Sequence, residues 1–250
     1  MKKLLALILF CGILSAKDNI KFQQQGNTSN TIAIWHFNEG SGTTAYDNSG
    51  ENNHGVITEA TYTDDNIMGK SLDFDGTNDK VTLPQLFRLI KDFTIVVWFK
   101  RASAVNYRAA IGGATKPDSD QEWAIGFDNA TTLIITMKQT DGTIKTLCID
   151  NGNDFNDGKW HFLAVTRNTV TQKMSSYLNG HFDNVEEGGN LEIKDWGASR
   201  VTNIGLWGQY DASTVYFWDG LIEEFCIYNK ALTTAEIAAI YQQQKGRYVK

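Results

Sequence analysis

The residues best suited to chemistry fall in a few short segments. Asp75, Asn78 and Asp79 place several hard oxygens within five residues, around the turn signal Asp75-Gly76. Oxygens crowded in this way suit a flexible, oxygen-coordinated cation such as calcium. The same side chains serve equally to cap the turn through their own backbone. A second set is aromatic. Trp207 and Tyr210 stand three apart in Trp207-Gly208-Gln209-Tyr210-Asp211, Trp196 lies in Lys194-Asp195-Trp196-Gly197, and Tyr107 follows Asn106. A ring face packs against apolar C–H surface while neighbouring amides and carboxylates bind hydroxyls, which is the chemistry of sugar recognition. If residues 207–210 form one turn, both rings face a single ligand. The alternative is that these rings pin long loops to the edge of the fold.

Catalytic constellations are missing. Glu186-Glu187 and Glu223-Glu224 are adjacent pairs, whose members face opposite ways on a regular strand. His36, His54, His161 and His181 are scattered, and His161 beside Trp160 reads as a packing and hydrogen-bonding residue. The chain has no Gly-x-Ser-x-Gly elbow and no His-Glu-x-x-His pair. Cys148 and Cys226 match no metal spacing. They could pair in an oxidising compartment, and two buried thiols is the plainer reading.

The elements that position these groups are strands. Short apolar runs broken by turn chemistry fill the chain from Ile32 to about residue 228. Ile32–Phe37, Phe93–Phe99, Trp123–Phe127, Leu133–Met137, Thr143–Ile149, Lys159–Thr166, Met174–Leu178, Val201–Leu206 and Phe217–Tyr228 are strand-like. Thr140-Asp141-Gly142 marks a hairpin, and Asn179-Gly180 a turn. About a dozen strands are expected, with no helical pattern between them, which excludes βαβ architecture and favours a sandwich or barrel. Only the end reads as helix: Thr233 and Glu236 form a capping box, and Ile237, Ile240 and Tyr241 follow as an apolar stripe. The 250 residues, 42% hydrophobic, suffice for one large all-β core, and 22 Gly against 2 Pro fits many tight turns. The net charge of −6, with no basic run before the tail, argues against a nucleic-acid partner.

Residues 1–16 read as a signal peptide, with Lys2-Lys3 before the apolar Leu4–Leu14 stretch and small residues at Ser15-Ala16. That stretch is too short to span a bilayer comfortably. Residues 17–30 are a polar, Gln- and Asn-rich linker. The mature chain is therefore expected to be secreted, periplasmic or on the cell surface.

Seven pieces in order carry a family resemblance: Trp35-His36-Phe37-Asn38-Glu39-Gly40-Ser41-Gly42; Tyr46-Asp47-Asn48-Ser49-Gly50 with Asn53-His54-Gly55; Leu72-Asp73-Phe74-Asp75-Gly76-Thr77-Asn78-Asp79; Phe93-Thr94-Ile95 with Trp98; Asp157-Gly158-Lys159-Trp160-His161; Tyr177-Leu178-Asn179-Gly180; and Gly220 to Leu232. Together they resemble the laminin-G-like (LamG-type) jelly roll of the concanavalin A-like lectin/glucanase superfamily. The resemblance spans residues 32–243 and implies an all-β, two-sheet antiparallel jelly-roll sandwich at 31–245 with one short C-terminal helix. It also implies a structural calcium in many members, with Glu223 joining Asp75, Asn78 and Asp79 from another strand. The family's usual Asp-Glu is Glu223-Glu224 here, and Asn179 stands where Asp is frequent. The glucanase branch carries Glu-x-Asp-x-x-Glu or a similar run on one strand, and no such run occurs in this chain.

The expectation is an exported, non-catalytic module that recognises carbohydrate or glycoconjugate at a cell surface or in the matrix through Trp207, Tyr210, Trp196 and Tyr107. The alternatives are a protein–protein adhesion or structural module that binds no sugar, and a degenerate glucanase.

Overall fold

A computed structural model of the chain describes residues 30–84, 91–102, 109–115, 121–127, 132–139, 141–149, 155–187, 201–208 and 215–245. In chain order the first strands are β1 (Thr31–Trp35), β2 (Thr44–Ala45), β3 (Gly55–Thr58), β4 (Thr61–Thr63), β5 (Ser71–Asp75) and β6 (Lys80–Leu83). Next come β7 (Phe93–Arg101), β8 (Ala109–Thr115), β9 (Gln121–Phe127), β10 (Leu133–Lys138), β11 (Ile144–Ile149) and β12 (His161–Asn168). The set closes with β13 (Lys173–Leu178), β14 (His181–Glu187), β15 (Val201–Ile204), β16 (Leu206–Gly208), β17 (Val215–Phe217), β18 (Asp219–Tyr228) and helix α1 (Thr234–Lys245). Eighteen described strands exceed the dozen expected. The additions include very short strands such as β2 and β4, and β8, whose run Ala-Ala-Ile-Gly-Gly-Ala-Thr has almost no apolar bulk to mark it.

Two eight-stranded antiparallel sheets form the sandwich. The first runs β14-β13-β12-β7-β18-β5-β4, with β1 also paired to β18. The second runs β11-β10-β9-β8-β15-β6-β3-β2, and β16-β17 is a separate two-stranded ribbon. Strand β18 changes neighbour along its length: Asp219–Ile222 pair with β5, and Phe225–Tyr228 pair with β1. The changeover is a bulge between Glu223 and Cys226, where Glu224 has φ 54°.

Pleat alternation places the core. In the second sheet, Ile57, Val81, Ile204, Gly112, Ile125, Ile135 and Leu147 stand in register across seven strands. All but the glycine belong to the main core, where they meet Ile95, Val97, Phe99, Leu163, Val165, Ile222 and Ile227 of the first sheet. A second apolar layer lies on the opposite side of the first sheet. There α1 packs Ile237, Ile240 and Tyr241 over Val96, Trp98, Phe162, Ala164, Tyr177 and Cys226. The capping box forms as expected: Glu236 N donates to Thr233 Oγ1 (3.3 Å), and Thr233 N donates to Glu236 Oε2 (2.8 Å). The expected pair of buried thiols is corrected: Cys226 is buried under α1, whereas Cys148 is exposed on β11, and no disulfide joins them. The reason is the pleat: Cys148 stands between the inward Leu147 and Ile149 and so turns outward, while Cys226 turns to the face that α1 covers.

Candidate functional site

One residue along from the inner row of the second sheet, the pleat turns every side chain outward. The outward row is Thr146, Thr136, Ala124, Gly113, Asn203, Thr82, Val56 and Thr44, each in register with the next across all eight strands. None of the eight is charged: four are Thr, one is Asn and one is Gly, with Ala124 and Val56 the others; Thr136, Ala124, Gly113 and Asn203 in the middle of the row are buried, and Val56 and Thr146 are exposed. Thr82 Oγ1 donates to Asn203 Oδ1 (3.0 Å), which holds two neighbouring members of the row in place.

The β16-β17 ribbon stands on the middle of that row. Trp207 and Tyr216 are register partners in the ribbon, and their rings stack with centroids 5.0 Å apart and planes 23° apart. Both are half-buried. The indole rests on Gly113, where a Cβ would come 3.1 Å from Trp207 Cδ1 and 2.9 Å from Trp123 O. Glycine is therefore required at Gly113 by close approach. The two half-buried rings give this face an aromatic surface beside an uncharged row.

Of the expected ligand-binding residues, Trp207 is thus in a strand of a ribbon, with Tyr216 as its ring partner. Tyr210, Trp196 and Tyr107 lie outside the described residues. Tyr216 escaped sequence reasoning because its tie to Trp207 is a pairing across nine positions; the β-branched and aromatic run Val215-Tyr216-Phe217 was the available signal.

The expected metal ligands have other partners in the structure. Asp75 Oδ1 accepts from Thr77 N (2.8 Å) and Asp79 Oδ2 accepts from Asp75 N (2.8 Å), so these carboxylates cap their own turn. Glu223 is committed elsewhere: its two oxygens accept from Ile67 N (2.5 Å) and Met68 N (2.7 Å). Among the described residues, no group of three or more His, Cys, Asp or Glu side chains is placed to hold a metal ion. Aspartates do crowd near the turn. Asp219 is the register partner of Asp75 on the neighbouring strand, and burial followed by Asp73 pushes its carboxyl above the usual range.

The Glu223-Glu224 pair corrects the expectation of opposite orientations. The bulge sends both side chains to the outer face of the first sheet, where each is 1% exposed. Glu224 Oε1 pairs with His36 Nδ1 at 2.5 Å, and Glu224 Oε2 accepts from Gln244 Nε2 of α1 at 3.3 Å. Burial first, and then the Glu224 charge, push the Glu223 carboxyl up to about 8, against the pull of the two amides and of His36. These carboxylates fasten the 64–69 loop, β1 and α1 to the sheet. His161 packs as expected: it stacks on Phe99 at 5.6 Å, and its Nε2 lies 3.1 Å from Asp157 Oδ1.

A family model described as the concanavalin A-like lectin/glucanases superfamily matches residues 75–238. Over 114 residues the chain is 26% identical to the sushi, von Willebrand factor type A, EGF and pentraxin domain-containing protein 1 of Mus musculus, covering 45% of this chain and 3% of that protein. Among solved structures, it is similar to the binding domain of Paraclostridial Mosquitocidal Protein 1, with TM-score 0.67 and 17% identity over 87% of this chain and 53% of that one. It is also similar to the botulinum neurotoxin serotype D binding domain, with TM-score 0.66 and 15% identity over 86% of this chain and 52% of that one. The serotype D ligand-binding domain in complex with N-acetylneuraminic acid gives TM-score 0.66 and 17% identity, over 86% and 51% of the two chains. The chain thus spans about half of each toxin domain, and at these identities the likeness is one of fold. No described helix is long and apolar enough to cross a membrane.

Proposed function

The chain belongs to the concanavalin A-like lectin/glucanase superfamily, and on that footing we propose that it is a non-catalytic module that binds carbohydrate on the outer face of its second sheet. The observation that carries this reading is the uncharged, register-aligned row across eight strands with the Trp207–Tyr216 stack standing on it. Ring faces supply the apolar contact that sugar C–H groups need, and the partly open Thr44 and Thr82 supply hydroxyls of the kind that bind sugar hydroxyls. The solved complex of a similar domain with N-acetylneuraminic acid supports a sugar as the ligand class. The two buried carboxylates beneath α1 are out of reach of a substrate, which supports a binding role without catalysis. With the leader-like residues 1–16, the reading places the module outside the cytoplasm, facing glycans or glycoconjugates of a surface or matrix. The site calls on no calcium.

A glycan array with the wild type and Trp207→Ala tests this. Loss of one stacking ring costs on the order of 1 kcal/mol, about fivefold in Kd. The expected result is binding at least severalfold weaker with a nearly unchanged melting temperature. Retained affinity together with a large loss of stability would make Trp207 a structural pin. An array dark to the wild type would favour the adhesion reading.

A further inference from the structure

We propose that the ligand is an oligosaccharide chain held at two aromatic stations on this face, the second being Tyr46 and His54 at the β2-β3 edge. This rests on the carbohydrate reading above and specifies its ligand by length. Tyr46 follows Ala45, a core residue, and so turns outward with Thr44; His54 precedes Gly55, whose Cβ would meet core side chains, and so turns outward with Val56. The two rings meet edge to face at 5.3 Å and 74°. Tyr46 is 53% exposed, unusually open for a large ring, and His54 is exposed as well.

The station is built rather than loose. Glu39 Oε1 accepts from Tyr46 N (2.8 Å), and Glu39 Oε2 accepts from Tyr62 OH (3.1 Å), which fixes the backbone carrying the ring. Asp47 N donates to His54 Nδ1 (3.0 Å). An imidazole that accepts at Nδ1 carries its proton at Nε2, so the exposed ring keeps an N–H donor beside the tyrosine face.

Val56, Thr82 and Asn203 join this station to Gly113, the residue on which Trp207 rests. Four strand spacings separate Thr44 from Gly113, roughly 19 Å at about 4.8 Å each. A monosaccharide cannot touch both stations, whereas a chain laid across the strands can. Val56 is 59% exposed and Thr82 is half-buried, while Asn203 is buried next to Gly113; all three are uncharged, so no charge interrupts the way from one aromatic pair to the other. A protein partner would more naturally meet an apolar centre ringed by polar residues.

The test uses a printed array of mono- to hexasaccharides, then titration with the soluble monosaccharide and hexasaccharide of its brightest series. Tyr46→Ala should weaken the hexasaccharide about fivefold and leave the monosaccharide unchanged. Tyr46→Phe should behave as wild type, and Trp207→Ala should weaken both ligands. Melting temperatures of the Tyr46 variants, exposed as the ring is, should match the wild type. If Tyr46→Ala changes neither ligand while Trp207→Ala weakens both, the second station is overturned and the carbohydrate site stands. A wild type that binds both lengths equally, or a Tyr46→Ala loss on the monosaccharide, also overturns the two-station arrangement. A dark array, or binding insensitive to both substitutions, overturns the carbohydrate site itself and the station with it.

Discussion

The outer face of the first sheet and the outer face of the second begin from the same pleat and are finished differently. On the first, Ile34, Cys226, Val96, Ala164 and Tyr177 stand in register. Helix α1 and the 64–69 loop cover them, and Trp98 stacks on Tyr241 at 5.7 Å while its Nε1 donates to Gln244 Oε1 (2.7 Å). On the second, the corresponding row is threonine, asparagine, glycine, alanine and one valine, and what stands on it is a two-stranded ribbon and a pair of exposed rings. Burial of apolar area is the main favourable term in folding, so an outer row of large apolar residues must acquire a cover, and a row of small polar ones need not. One face has been used for stability. The other is the face on which we place the ligand.

The largest effect expected from this contrast is on the covered face. Trp98→Ala should cost about 3–5 kcal/mol in urea unfolding, from lost burial plus the cavity beneath α1. An exposed residue of the other face, Thr146→Ala, should stay within about 0.5 kcal/mol. Similar costs for the two would erase the distinction between the faces.

Burial under the same cover gives a pH dependence. The Glu223 carboxyl is raised from 4.5 to about 8 in the folded protein. Between those values the folded chain binds more protons than the unfolded one, so stability falls as pH rises through that window, by at most about 1.4 kcal/mol per unit. The contribution is complete below 4.5 and lost above 8. Melting temperature against pH should slope downward in the wild type and be flatter in Glu223→Gln. Parallel curves would show that Glu223 does not titrate in the window.

Gly113→Ala sharpens the comparison from the open face. Its Cβ would press on Trp123 O at 2.9 Å and on Trp207 at 3.1 Å. A cost of about 1–3 kcal/mol is expected from overpacking, along with weaker sugar binding as the indole is displaced. Unaltered binding would detach Trp207 from the site.

The smallest effect concerns calcium. Because Asp75 and Asp79 already cap their own turn and Glu223 is spent on Ile67 and Met68, chelator should leave the melting temperature unchanged. A clear fall would show a bound ion, since saturation at about 100 times Kd is worth about 2.7 kcal/mol.

The sequence by itself determined what depends on near neighbours. Alternation fixed most strands and their inward residues, Asp141-Gly142 fixed the β10-β11 hairpin, and Thr233 with Glu236 fixed the start of α1. Only the tertiary structure decided which strands are neighbours and which side chains therefore share a face. The outer row draws on β15 between β8 and β6, segments far apart in the chain, and its composition is visible only once they are aligned. The same holds for Glu223 and Glu224, where a bulge overrides the alternation that adjacency suggests, and for Tyr216 opposite Trp207. Register between distant strands is set by the summed packing of whole sheets, and a slip of one residue would exchange every inward side chain for an outward one. No local pattern contains that sum.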